Sequence, residues 1–396
     1  MVLGQARITD EGVANLKTRV GSYFKGEYIF AHNHMMTKDG IAHWCDGIGD
    51  YRNPLYRDPN YAAKTKYGTI IAPPCSLNSI LNVSGMRVGG LPGVHSFHSG
   101  WDWLWLKPVY LNDTITGTYR PVDIVEKKSE FALRTVIIYA EGIYRNQRDE
   151  IVARCIGWSI RAERGTARDQ GKYKEIKQYW ITPEMQAQIE DMMEKEEIRG
   201  ANPRYWEDVN VGDTTQPLVK GPLGVGEMMA WAHSIGGGGE VHAFKVRSLR
   251  KHPAWGWKNP ETGASETIDQ VHEQEEAAKG IAIPAAYDVG AQRNSWVSQG
   301  ITNWMGDDGF LKNLYCEYRR FNVYGDIQFI KAKVTRKYEK DGEHLVDMDA
   351  WAENQRGEVT APGYWDEPDR VRAKTAQSAT RVRKAERIRA IIRLWH

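Results

Sequence analysis

"RNQRDEIVA" at residues 145–153 returns as "ENQRGEVTA" at residues 353–361, an offset of 208 positions. An echo this far apart in a chain of 396 residues points to a duplicated unit of about half the chain. Working outward, "PVYLNDTI" (108–115) is answered by "FNVYGDIQ" (321–328), with Asp113 matching Asp326. Nearer the start, "HWCDGIGD" (43–50) resembles "AWAHSIGG" (230–237), an offset of 187. Each half therefore reads helix, loop, helix, then several strands.

The strands have local support. "FALRTVIIYAEGIYRN" (131–146) and "GDIQFIKAKVTRKYE" (325–339) are rich in β-branched and aromatic residues and bounded by turn formers. Ile327, Phe329, Lys331, Val334 and Arg336 mix faces as a half-buried strand does. Between the halves, "TPEMQAQIEDMMEKEEIRG" (182–200) reads as a charged linking helix, with Thr182 as N-cap, Pro183 at the first helical position and Gly200 as the stop. The expected class is α+β, duplicated, with an antiparallel sheet wrapped around a central helix in each half.

The totals exclude several classes. Hydrophobic residues make up 41% and charged residues 26%, the balance of a soluble globular chain. No apolar run reaches the roughly 20 residues of a membrane span, and the N-terminal stretch lacks the pattern of a signal peptide. The four cysteines (Cys45, Cys75, Cys155, Cys316) are dispersed, which argues against a zinc site or disulfide framework and fits a cytoplasmic chain. Net charge is +2, but Arg370 to His396 carries +8 and leaves −6 for the rest, so no nucleic-acid-binding core is expected. Within that tail, Val382, Ala385, Ile388, Ile392 and Trp395 lie at helical spacing. The tail is expected to be a basic helix docked on its own subunit or on a second copy in a homo-oligomer, with a membrane-surface or acidic-partner role as the alternative.

"GDYRNPLYRDPNYA" (49–62) resembles the hydratase signature of the MaoC-like, or R-specific enoyl-CoA hydratase, family. "KYGTIIAPP" (66–74), "WDWLWLKPVYLNDTI" (101–115) and "YRNQRDEIVAR" (144–154) are similar to the FAS1-like dehydratase N-terminal domain of double hot-dog acyl dehydratases. "YDVGAQRNSW" (287–296) and "NWMGDDGFL" (303–311) are similar to their C-terminal half. The resemblance implies a tandem hot-dog fold. Its expected domains are an N-terminal hot-dog over residues 1–165, a linker helix over 166–205, and a C-terminal hot-dog over 206–366 with an inserted loop at about 238–266. The basic tail covers 367–396. It also implies reversible hydration of a 2-enoyl-CoA to a 3-hydroxyacyl-CoA. In that chemistry an Asp and a His hold and activate water, while amides at the central helix N-terminus receive the thioester oxyanion. The CoA thioester is substrate, and no cofactor or metal is expected.

The family pattern places a histidine where Tyr56 stands, after Asp50, Asn53 and Pro54. Tyrosine is a poor base at neutral pH, though it donates hydrogen bonds. The oxyanion glycine expected 18 residues later is Pro74, and proline has no N–H. The first half is therefore expected to be degenerate. In the second half His272 is followed at +6 by Ala278 and at +18 by Gly290, both the family's spacings. The resemblance makes His272 the candidate base and the Gly290 amide an oxyanion donor. The competing reading is a histidine that packs or caps.

The partner acid is open between Asp269, Asp288 and Glu240, because Gly237 stands at the position matching Asp50. About 29 residues are inserted before His272, and "FKVRSLRKHPAWGWKNPETGASE" (244–266) reads as an ordered loop over the site. His242 is the rival histidine. Arg293, Trp296 and Asn53 are candidate substrate contacts, with pairing to a carboxylate as the alternative for Arg293. Asp307 and Asp308 read as turn residues, "WDWLWL" as a packed strand some of whose rings line an acyl pocket, and Arg319 and Arg320 as a strand edge or a CoA phosphate contact. The expected function is hydration or dehydration of an acyl-CoA with a bulky acyl group. The alternatives are a non-catalytic acyl-CoA-binding scaffold and a thioesterase on the same fold.

Overall fold

The repeated turn is one built object occurring twice. The structure, a computed structural model, describes residues 6–24, 33–127, 134–163, 179–236, 240–281, 283–361 and 390–394. Asn146 Oδ1 accepts from the amides of Arg148 and Glu150 at 3.0 and 3.1 Å, and Asn354 Oδ1 does the same for Arg356 and Glu358 at 3.0 Å each. The left-handed position of the turn is Asp149 (φ 60) in one copy and Gly357 (φ 73) in the other. Asp113 receives Gln147 Nε2 and the Tyr110 amide, and Asp326 receives Gln355 Nε2 and the Val323 amide. The sequence repeat is thus a structural repeat down to its side-chain hydrogen bonds.

In the first half α1 (Asp10–Lys17), α2 (Lys38–Ile48) and the short α3 (Pro54–Arg57) and α4 (Pro59–Ala62) precede the strands β1 (His95–Trp105), β2 (Thr116–Lys127), β3 (Thr135–Arg145) and β4 (Ile151–Ala162). The connecting helix α5 (Pro183–Glu194) starts as expected, with Thr182 Oγ1 accepting from the Met185 amide. It stops before Gly200, and the chain beyond it sets Glu196 against Gln299 and Asn303.

The second half runs β5 (Leu218–Lys220), α6 (Val225–Ser234), α7 (His242–Lys251), a hairpin of β6 (Gly256–Lys258) and β7 (Ser265–Thr267), then α8 (Glu275–Gly280) and α9 (Gly290–Met305). Strands β8 (Phe310–Glu317), β9 (Gln328–Lys340), β10 (Glu343–Asn354), β11 (Val359–Ala361) and β12 (Ala390–Leu394) complete it. The main sheet orders β2-β3-β4-β1-β8-β12-β10-β9-β5, with β11 also on β10. The halves join where β1 pairs antiparallel with β8, Gly100 opposite Glu317 through Leu104 opposite Asn313.

Two expectations need correction. Over residues 390–394 the tail is a strand, not a helix: Ala390, Ile392 and Leu394 are buried and β12 lies between β8 and β10. Its arginine-separated apolar residues fit alternation there, and Arg393 faces Glu343. The remaining tail residues, including Val382, Ala385, Ile388 and Trp395, lie outside the described residues. The central element of the first half is also reduced, to single 3-10 turns at Pro74–Ser79 and Gly85–Val88. The carbonyls of Leu81, Val83 and Ser84, which a helix would use internally, instead accept from Tyr144, Trp101 and Tyr119. In the second half α9 is buried along nearly its whole length.

Candidate active site

His272 ends a 3-10 turn (Ile268–His272) whose Val271 is buried in a small core with Trp257 of the insert and Tyr287. The insert is thus ordered, as expected, and packs on the segment that carries the histidine. His272 Nδ1 lies 2.8 Å from the Tyr287 carbonyl, and Tyr324 Oη donates to the His272 carbonyl at 2.8 Å. A backbone carbonyl can only accept, so Nδ1 carries the proton in the neutral ring and Nε2 keeps its lone pair. The Tyr287 ring stands edge-on at 4.7 Å.

Three residues beyond Tyr287, Gly290 opens α9, and no side chain caps the helix there. The Gln292 amide turns back to the Val289 carbonyl at 2.9 Å, while the amides of Gly290 and Ala291 have no partner within the helix, which makes this end suited to an anion. A Cβ on Gly290 would stand 2.6 Å from two carbons of the Tyr318 ring, so only glycine fits under that ring. The Tyr318 hydroxyl is buried with no hydrogen-bond partner among the described residues.

The candidate acids separate. Asp288 is 2% exposed and bound to Arg293 through two contacts of 2.5 and 2.9 Å, with Asn322 Nδ2 at 3.1 Å. Arg293 spends its remaining donors on the carbonyls of Arg320 and Thr360. Arg293 thus takes the carboxylate pairing of its two expected roles, and Asp288 is engaged with it rather than with His272. Trp296, 3% exposed, belongs to the main core rather than to a pocket. Asp269 sits three residues before His272. The protein packed around it raises its carboxyl pKa, and the charge of His272 acts against that rise. No carboxylate oxygen hydrogen-bonds to His272 among the described residues. Glu240 has a buried Oε2 with no partner among them. His242 is exposed at the first position of α7 with φ 51, well away from the helical value.

The first half holds a second polar cluster. Asp50, 2% exposed, has its carboxyl held up at about 8 by burial, with Lys220 pulling it down and Glu196 pushing it up. Burial brings the Lys220 ammonium down to about 8, and its Nζ donates to the carbonyls of Ile48 and Gly49 at 2.8 and 3.0 Å, closing the end of α2. Tyr56 is fully enclosed, its phenol pushed up first by burial and then by Asp50, and it hydrogen-bonds Thr302 of α9. Asn53 caps α3 through the Leu55 amide at 3.1 Å. Asn53, Tyr56, Pro73 and Pro74 line a small open cleft of about 40 Å³ with Trp105 and Asp307. The motif of the first half thus keeps a cavity whose described lining has no histidine and in which Pro73 and Pro74 offer no N–H.

Tyr318, Lys220, Thr302 and Asp307 were not read as site residues from the sequence. Tyr318 was findable: an offset of 213 matches Asp113 to Asp326 and sets Tyr318 opposite Trp105, whose Nε1 donates to Pro74, the counterpart of Gly290. Lys220 and Thr302 carry no local signal.

Two hot-dog halves sharing one antiparallel sheet is an architecture seen in solved proteins. Across 96% of this chain and 99% of its own, a structure named a MaoC-like dehydratase superposes with a TM-score of 0.62 at 13% identity. A putative MaoC domain dehydratase from Chloroflexus aurantiacus covers 90% of each chain with a TM-score of 0.50 at 14% identity. A conserved hypothetical protein from Mycobacterium tuberculosis, described as having a double hot-dog fold, covers 95% and 96% at a TM-score of 0.52 and 8% identity. This protein is a double hot-dog. In sequence, residues 24–155 match the family model described as FAS1-like, dehydratase domain region, while the likeness to the solved structures is one of fold. No curated relative matches the double hot-dog in sequence. No described helix is long and apolar enough to cross a membrane.

Proposed function

We propose that this double hot-dog hydrates 2-enoyl-CoA thioesters, or dehydrates 3-hydroxyacyl-CoA, at a site in its second half. The observation that carries the reading is His272 Nδ1 tied to the Tyr287 carbonyl, three residues before the open N-terminus of α9. That tie leaves Nε2 to take a proton from water as its oxygen attacks C3. The Gly290 amide would receive the thioester oxyanion, lowering the barrier to attack. Asp269, poised by its surroundings toward the protonated form, is the candidate to return a proton at C2. The cleft of the first half, with no N–H at Pro73 or Pro74, gives its volume to a bulky acyl group rather than to chemistry.

The test is loss of enoyl-thioester absorbance on adding protein to crotonyl-CoA and to a ring-bearing enoyl-CoA. Wild type should remove the band, faster for the bulkier substrate, and His272→Ala should be slowed by about 100-fold or more. Equal rates in both proteins would move the base to His242 or to the first half.

A second reading is a subunit that binds acyl-CoA without reacting. It is favoured by one observation, the commitment of Asp288 to Arg293, which leaves His272 without a hydrogen-bonded carboxylate. It requires tight thioester binding with no loss of the band. A thioesterase would instead release free CoA thiol.

A further inference from the structure

Besides the apolar space that the hydration reading gives to an acyl group, the cleft of the first half holds a carboxylate that this reading leaves without a role. Most of its wall is apolar, with Ile71, Pro74, Trp105, Val109 and Leu311 facing the space. Into this wall the second half delivers a carboxylate. Asp307 follows α9 directly, positioned by the left-handed Gly306 (φ 74) and by its own amide, which donates to the Gly200 carbonyl at 2.9 Å. It is 7% exposed, and one oxygen is held by Tyr61 Oη at 2.6 Å. Asp307 and Tyr56 both line this cleft.

A carboxylate placed against apolar walls costs free energy that the Tyr61 phenol and the charge of Lys66 only partly offset. Burial raises the Asp307 carboxyl accordingly. A turn alone does not call for this, since the adjacent Asp308 could serve a turn from the surface. A ligand that brings its own hydroxyl would satisfy the carboxylate and fill the apolar space together. The two prolines offer no amide to a thioester oxygen, so the cleft is suited to holding a group rather than to reacting with one.

We propose that the first-half cleft is a binding site for an apolar chain or ring ending in a hydroxyl, with Asp307 accepting from that hydroxyl and Tyr56 beside it. The site stands independently of hydration at His272. The hydroxyl is carried either by a free molecule or by the far end of an acyl group.

The experiment uses the full chain and displacement of a fluorescent apolar probe by octanol and by octyl methyl ether, a near-isostere that cannot donate. Octanol should bind wild type about tenfold more tightly than the ether, as expected when a buried acceptor loses its donor. Asp307→Asn, which retains an oxygen for Tyr61, should shrink that preference to about threefold or less. Ala72→Trp, which fills the cleft, should weaken both ligands, with circular dichroism checking its fold. Equal affinity for the two ligands in wild type overturns the proposal, as does a preference that survives Asp307→Asn. Repeating the displacement with a saturated ω-hydroxyacyl-CoA identifies the carrier: weaker binding in Ala72→Trp supports an acyl terminus, and unchanged binding supports a separate molecule. A His272→Ala protein that loses turnover but keeps the octanol preference separates this site from the hydration reading.

Discussion

The acid of the expected Asp/His pair stands in the first half as Asp50 and the histidine in the second as His272, in different settings. His272 is partly exposed and bound to a carbonyl, whereas Asp50 is enclosed beside a buried lysine. The Asp50 carboxyl ionises near 8 in the fold against a usual 3.8, so the folded chain binds that proton more tightly than the unfolded chain. Its contribution to stability is therefore full below pH 3.8 and is lost as pH rises toward 8. Thermal unfolding of wild type and Asp50→Asn across this range should show wild type losing ground steadily, by about 3 °C or more between its ends. Parallel curves for the two proteins would mean that Lys220 already neutralises the site. The motif position of Asp50 was legible because the Gly-Asp and Asn-Pro pairs frame it. Its Lys220 neighbour was not, because the contact spans 170 residues and depends on how β5 meets the end of α2. Asp288 shows the reverse case. Spacing alone set it two residues before Gly290, while its buried guanidinium partner on the next helical turn decided its role.

At the scale of elements, the tail strand is the sharpest departure from the sequence reading. Positions 382, 385, 388, 392 and 395 keep a helical period, and a strand requires a period of two. Over the five residues of β12 both patterns fit, because Ala390, Ile392 and Leu394 alternate with Ile391 and Arg393. What decides between them is an opening between β8 and β10 whose backbone groups need partners. In the first half the corresponding place is filled by β4, which follows β3 through a tight turn. In the second half β11 begins that strand and β12 resumes it after residues 362–389. Ile392 is fully buried in the main core, so Ile392→Ala should cost about 2–4 kcal/mol in urea unfolding. A cost under about 0.5 kcal/mol would fit a tail resting on the surface instead. The repeated turn, by contrast, was legible as a repeat, since its Asn, Arg and Glu act on one another within five residues while its Gln reaches back to the matched aspartate.

For the whole molecule, the halves are bound by more than the linking helix. The β1–β8 pairing makes one continuous sheet, and the buried helix α9 sends Gln299 to the Gly49 carbonyl and Asn294 to Cys75 of the first half. Helix α2 packs so closely on α6 that a Cβ at Gly47 would lie 2.2 Å from the Ser234 Cβ. One core cluster runs through both halves, from Ile8 to Leu394. Duplication predicts two units of similar build, and on its own it allows each to unfold separately, as loosely joined domains do. The shared core and sheet argue for a single cooperative transition. Denaturant curves followed by tryptophan fluorescence and by far-ultraviolet circular dichroism should therefore coincide. The half-chain 1–180, which strands the unpaired edge of β1, should aggregate or stay unfolded rather than behave as a domain. A half-chain that folds and melts cooperatively by itself would show that the seam between halves is an interface between finished domains.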